Sequence, residues 1–106
     1  MATIASVVPD LMLASRVAAS LGAAGHEVVP VGAASPVELP PGAALVVCDL
    51  EAVDPVEIAA LPAPVLGFYS HVDVETRNAA KTAGIDLVVP RSRMARELPD
   101  LVGRLL

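Results

Sequence analysis

Short runs of Val, Ile and Leu alternate along this chain with Ala-rich stretches whose apolar residues recur at helical spacing, and that alternation leaves few architectures open. The apolar runs are too continuous for strands with one wet face. They read as strands covered on both sides, which requires a parallel sheet with helical crossovers. Strands are expected at Thr3 to Val8, Glu27 to Val31, Ala44 to Asp49, Pro64 to Tyr69 and Leu87 to Pro90, each bounded by Pro, Gly or a polar residue. With 106 residues, 55% of them hydrophobic and 18% charged, the chain can bury one core and is the reverse of a disordered composition. One α/β domain over residues 1–106 follows.

Between the first two strands Asp10 can cap a helix whose Leu13, Val17 and Leu21 recur every fourth residue, with Gly22 or Gly25 closing it. Asp73 can cap a second helix that runs through Ala83 and stops at Gly84. A last helical stretch is expected after Ser92, carrying Leu98, Leu101, Val102 and Leu105, with Pro99 breaking or restarting it. Pro36, Pro40 and Pro41 leave no room for a full crossover helix between strands two and three, so a loop with at most one turn is expected from Gly32 to Gly42. Pro55 to Leu61 allows a short helix before Pro62 and Pro64 stop it.

Charges at Asp10, Arg16, Glu27, Glu38 and Asp49 break up every run that could cross a bilayer, so no membrane span is expected. No Lys or Arg precedes Arg16, unlike the basic start of a secretory signal, and the lone Cys48 cannot form an internal disulfide. Both point to a cytoplasmic location. A net charge of −5 argues against nucleic acid as a partner. The charge is uneven, however. Through Glu75 only Arg16 offsets a series of acids, whereas from Thr76 onward Arg77, Lys81, Arg91, Arg93, Arg96 and Arg104 outnumber Asp86, Glu97 and Asp100. This basic third is either a face for a partner or an ordinary set of solvated helix charges.

Leu45-Val46-Val47-Cys48-Asp49 resembles the strand that ends in the phospho-accepting aspartate of response regulator receiver domains. The stretch from Ala79 through Gly84 to Pro90 resembles their fourth helix and fifth strand, and Leu21 to Val28 the end of the first helix and the second strand. The resemblance covers the whole chain. It implies a flavodoxin-like five-stranded parallel sheet of order 2-1-3-4-5, here with the helix between strands two and three reduced or absent. In that family an acidic pair after strand one joins the strand-three aspartate in holding Mg²⁺, but the matching positions here are Val8 and Pro9, with Asp10 one residue further on. The family's lysine after strand five corresponds to Pro90 or Arg91, and its strand-four hydroxyl to Tyr69 or Ser70. The resemblance therefore implies a pseudo-receiver that keeps the fold and its interaction surfaces without standard aspartyl phosphorylation. Asp49 would be a remnant of the acceptor, and a protein partner or a second copy would bind through Arg77, Lys81, Arg93 and Arg96. A genuine phospho-acceptor at Asp49 is the weaker alternative.

Ligands of parallel α/β sheets lie beyond the carboxyl ends of the strands, an edge that collects Asp10, Asp49, Glu51, Ser70, His71, Asp73, Arg91, Ser92 and Arg93. Asp10, Ser70, His71, Arg91 and Ser92 there could hold a small anion, as a sensor or an enzyme would, because an Arg fork with hydroxyl and imidazole donors suits phosphate or carboxylate. Structural roles compete with that reading: Ser70 and Asp73 can cap a helix, His71 can be a solvated loop residue, and Arg91 can pair with Asp49. No cofactor is implied. GxxxxGK[ST] and GxGxxG are absent, Phe68 and Tyr69 offer little for a flavin to stack on, and a metal site would need His26, His71 and Cys48 to converge. A Cys48-His71 nucleophilic pair would need an exposed thiolate, so the chain is not expected to be an enzyme.

Overall fold

In the computed structural model, which describes Met1–Leu106, the apolar runs become β1 (Thr3–Val7), β2 (Glu27–Pro30), β3 (Ala43–Asp49), β4 (Val65–Tyr69) and β5 (Leu87–Pro90). They form one 5-stranded sheet in the order β2-β1-β3-β4-β5 with every pairing parallel, which is the flavodoxin-like order. Val8, Val31 and Pro64 lie outside the strands, and Ala43 joins β3. The crossovers are α1 (Leu11–Ala23), α2 (Pro55–Ala59) and α3 (Val74–Ala83), and α4 (Arg91–Leu105) follows β5. Both edge strands, β2 and β5, are short and end in proline.

Local signals explain most helix ends. Asp10 caps α1 by accepting hydrogen bonds from Met12 N (2.9 Å) and Leu13 N (3.1 Å). Of the two glycines that could end α1, Gly25 does so: its φ is 93°, a conformation that disfavours residues with a Cβ, and His26 N beyond it donates to Leu21 O. Gly22 stays inside the helix. Asp73 caps α3, and Gly84 ends it at φ 91°. α4 starts earlier than expected, at Arg91 directly after β5, with extended Pro90 at the cap position and no side-chain cap bond; Ser92 lies within the first turn. The helix is interrupted at Glu97 (φ −124°, ψ 15°), so Pro99 falls in the first turn of the second stretch, where a missing N–H leaves no bond unmade.

Alternating side chains along the strands build two cores. Ile4, Leu45, Val47, Leu66, Phe68 and Val89 face α1 and α4 and pack with Val17, Leu21, Met94 and Leu101. Ala5, Val7, Val46, Cys48, Val65 and Tyr69 face the other way and pack with Ile58 of α2 and Ala80 of α3. No helix connects β2 to β3. The Pro-rich loop instead inserts the buried Val37 into this second core. Glu57 of α2 holds the loop there, accepting from Ser35 Oγ (2.9 Å) and Val37 N (3.1 Å). On the same face Gly67 of β4 is required by Leu50: a Cβ at Gly67 would lie 2.6 Å from the Leu50 side chain.

Candidate functional site

The carboxyl ends of β3, β4 and β5 are tied together by one chain of polar contacts. Asp49, the last residue of β3, accepts from Glu51 N at 2.9 Å, which turns the chain sharply out of the strand. Glu51 then reaches across to β4 and accepts from Ser70 N at 3.0 Å. Arg91, at the start of α4, places Nη2 3.8 Å from Asp49 Oδ2 and 3.9 Å from Glu51 Oε2. These separations are ion pairing rather than hydrogen bonds, and Arg91 Nε is buried with no partner. Ser70 O accepts from Asp73 N (2.8 Å), and Asp73 in turn takes Thr76 N (3.0 Å) and Thr76 Oγ1 (2.6 Å).

The electrostatics follow from that geometry. Burial raises the Asp49 carboxyl above its ordinary value, and the Glu51 and Asp10 carboxylates push the same way; the Glu51 N–H and Arg91 only partly oppose them. Asp73 is lowered instead, by the Thr76 hydroxyl and amide that stabilise its charged form. Cys48 is a buried core side chain, and burial, with Asp49 beside it, pushes its thiol up to about 12.

The sequence-derived candidates separate into those that converge and those that do not. Asp49, Ser70 and Arg91 come together through Glu51, a residue whose bridging role no sequence pattern announced. Asp10 lies close enough to influence Asp49 but spends Oδ1 on the cap of α1. His71 is an exposed turn residue, and Ser92 is exposed in the first turn of α4. Acidic groups outnumber Arg91 around this edge, an unfavourable setting for an anion. Val8 is buried in the core that faces α1 and α4, and no three side chains from His, Cys, Asp and Glu are grouped as metal ligands. Of the basic residues, Arg77 and Lys81 stand on α3, with Arg77 Nε buried and unpartnered, while Arg93 and Arg96 stand on α4 and both approach Glu97, at 3.4 and 4.0 Å. The two helices flank the edge strand β5.

Glu51 and Asp73 also line a cleft of about 660 Å³ where the chain enters α2 and α3, with Leu50, Val53, Val72 and Ala79 as its apolar lining and Pro55 and Glu75 beside them. It is the largest opening in the molecule.

No protein-family model and no curated protein matches the sequence. Solved structures do. The whole chain superposes on NtrX of Brucella abortus, crystallised with ADP, at TM-score 0.74 and 21% identity, spanning 26% of that larger chain. The non-phosphorylated HemR receiver domain of Leptospira biflexa matches at TM-score 0.75 and 17% identity, over 99% of this chain and 94% of that one. A response regulator of Thermotoga maritima matches at 0.71 and 15%, over 99% and 97%. The fold is that of a receiver domain. Within this receiver fold the Asp49 edge is where the strands end, no helix is long and apolar enough to cross a membrane, and the missing crossover after β2 is the main departure from a regular βα alternation.

Proposed function

We propose that this chain is a receiver-like interaction module of the cytoplasm, not an enzyme, that works without standard aspartyl phosphorylation and engages a protein partner or a second copy. The observation that carries the reading is the Arg91 guanidinium, 3.8 Å from Asp49 and 3.9 Å from Glu51. A phosphoryl group on Asp49 needs counter-charge, from a metal and from fixed cations. Here the apolar Val8 stands where oxygen ligands would be needed, and the one nearby guanidinium is shared between two carboxylates. An ion pair thus already spans this edge from β3 to α4. The face for the partner is the flank of β5, where α3 presents Arg77 and Lys81 and α4 presents Arg93 and Arg96.

The NMR spectrum with Mg²⁺ and beryllofluoride, which mimics an aspartyl phosphate, tests the first half. Unchanged Asp49, Ser70 and Arg91 signals are expected; specific shifts there would restore Asp49 as a phospho-acceptor, a reading its place at the end of β3 favours. Light scattering tests the second half, through self-association: charge reversal at Arg77, Arg93 and Arg96 should dissociate any dimer. A strict monomer, together with a recovered partner that ignores these reversals, would remove this face from consideration.

A further inference from the structure

Large apolar residues that remain exposed are unevenly placed. Apart from the terminal Met1 and Leu106, they are Leu11 (82% exposed), Met12 (78%), Val56 (68%), Val72 (74%) and Val74 (48%). All five follow strand ends on the carboxyl side of the sheet: two open α1, one lies in the first turn of α2, and two lie between β4 and α3. Leu11 and Met12 belong to the α1 side of the sheet and Val56, Val72 and Val74 to the α2 and α3 side, where a cluster of exposed apolar side chains marks a candidate interaction site. Val72 lines the cleft between α2 and α3 together with Leu50, Val53 and Ala79, and Val56 and Val74 are the chain neighbours of its lining residues Pro55, Asp73 and Glu75.

Charge narrows the occupant. Glu51, Asp73 and Glu75 line the cleft and Asp54 caps α2 next to it, with no basic residue in the lining. These carboxylates repel anionic lipid and nucleic acid and attract a cationic surface. The cleft lies at the entrances to α2 and α3, away from the edge strands β2 and β5, so it suits side chains projecting from a helix better than an added strand. We infer that the cleft between α2 and α3 docks a cationic amphipathic helix of a protein partner, its apolar side chains over Val53, Val72 and Ala79 and its Lys or Arg residues against Glu51, Asp73 and Glu75. This surface is separate from the β5 flank, and its test does not depend on that reading.

The test is fluorescence anisotropy of the full chain with a labelled model helix that has a Leu face and a Lys face. Two controls accompany it: a twin with Glu in place of Lys, and a Lys/Ser helix without the apolar face. The Leu/Lys helix is expected to bind at least about tenfold more tightly than either control. Val56→Ser combined with Val72→Ser, and separately Glu75→Lys, should each weaken it by roughly tenfold, whereas Glu27→Lys and Glu38→Lys, equal charge changes outside the cleft, should weaken it less than about twofold. Val56, Val72 and Glu75 are exposed, so these variants should fold, and amide shifts in the parent chain should centre on Leu50, Val72 and Ala79. No binding, equal binding of the Lys/Ser helix, or equal losses from Glu27→Lys and Glu75→Lys would each overturn the proposal, the last two in favour of unspecific attraction to an acidic protein. A dimer of the chain alone that Val56→Ser with Val72→Ser dissociates would overturn it in favour of a second copy.

Discussion

On one face of the sheet α1 and α4 lay two long helices over Leu45, Leu66 and Phe68, whereas on the other the short α2, α3 and a Pro-rich loop share the covering of Val46, Cys48 and Val65. The first face is closed by area: apolar side chains on regular helices remove it from water, a contribution spread over many residues. The second is closed by a few specific devices, namely Val37 plugged into the core, Glu57 holding the loop, and Leu50 folded over the bare backbone of Gly67. The consequence is local. The cleft and the exposed Val56, Val72 and Val74 lie on the side that depends on single contacts, the side that should open first when the protein fluctuates.

Three substitutions test that contrast. Phe68→Ala, at the centre of the helix-covered face, should cost about 3–5 kcal/mol and lower the denaturant midpoint of the whole molecule. A loss no larger than that of changes on the other face would break the comparison. Gly67→Ala should cost about 1–3 kcal/mol, because its Cβ must displace the enclosed Leu50. Since Leu50 lines the cleft, the same variant should perturb amide shifts of Val72 and Ala79 more than those of α1. Glu57→Ala should cost about 1 kcal/mol, and hydrogen exchange should show faster exchange at Val37 with little change in β4. Global acceleration would mean that the loop is part of the main cooperative unit.

The smallest expected effect is a pH dependence. Because burial raises Asp49 in the folded state, the folded protein retains that proton at pH values where the unfolded chain has released it. Stability therefore falls as pH rises from the ordinary aspartate value through the folded one, and the loss is complete above it. Asp49→Asn keeps an oxygen for Glu51 N and removes this loss. It should raise the melting temperature at neutral pH by less than about 4 °C and leave it unchanged at acid pH. A fall at neutral pH would show that the Arg91 pair outweighs burial.

What the sequence disclosed follows the range of the interactions involved. Strand runs, the Asp10 and Asp73 caps and the Gly84 stop are short-range and could be read directly. The absence of a helix between β2 and β3 followed from three prolines. α4 began ahead of Ser92 because the extended Pro90 leads straight into a helical turn without a polar cap. Glu57 was invisible because its partners Ser35 and Val37 lie 22 and 20 residues away, and a Glu in a short helix is otherwise an ordinary surface residue. Glu51 could be placed at the sheet edge by topology, but its bridge from Ser70 to Arg91 depends on three strand ends meeting. Gly67 gave no signal, since a glycine in a strand marks close approach without naming the approaching residue.

The proline at the end of each outer strand has a consequence for the protein in solution. A chain that is 55% hydrophobic and built around a parallel sheet carries an obvious polymerisation hazard, because outer strands offer unpaired backbone groups to other molecules. β2 and β5 are only 4 residues long, and Pro30 and Pro90 each remove a donor from the last position of the strand. Neither border offers a long ladder to a neighbour, which disfavours edge-to-edge joining of sheets from separate molecules.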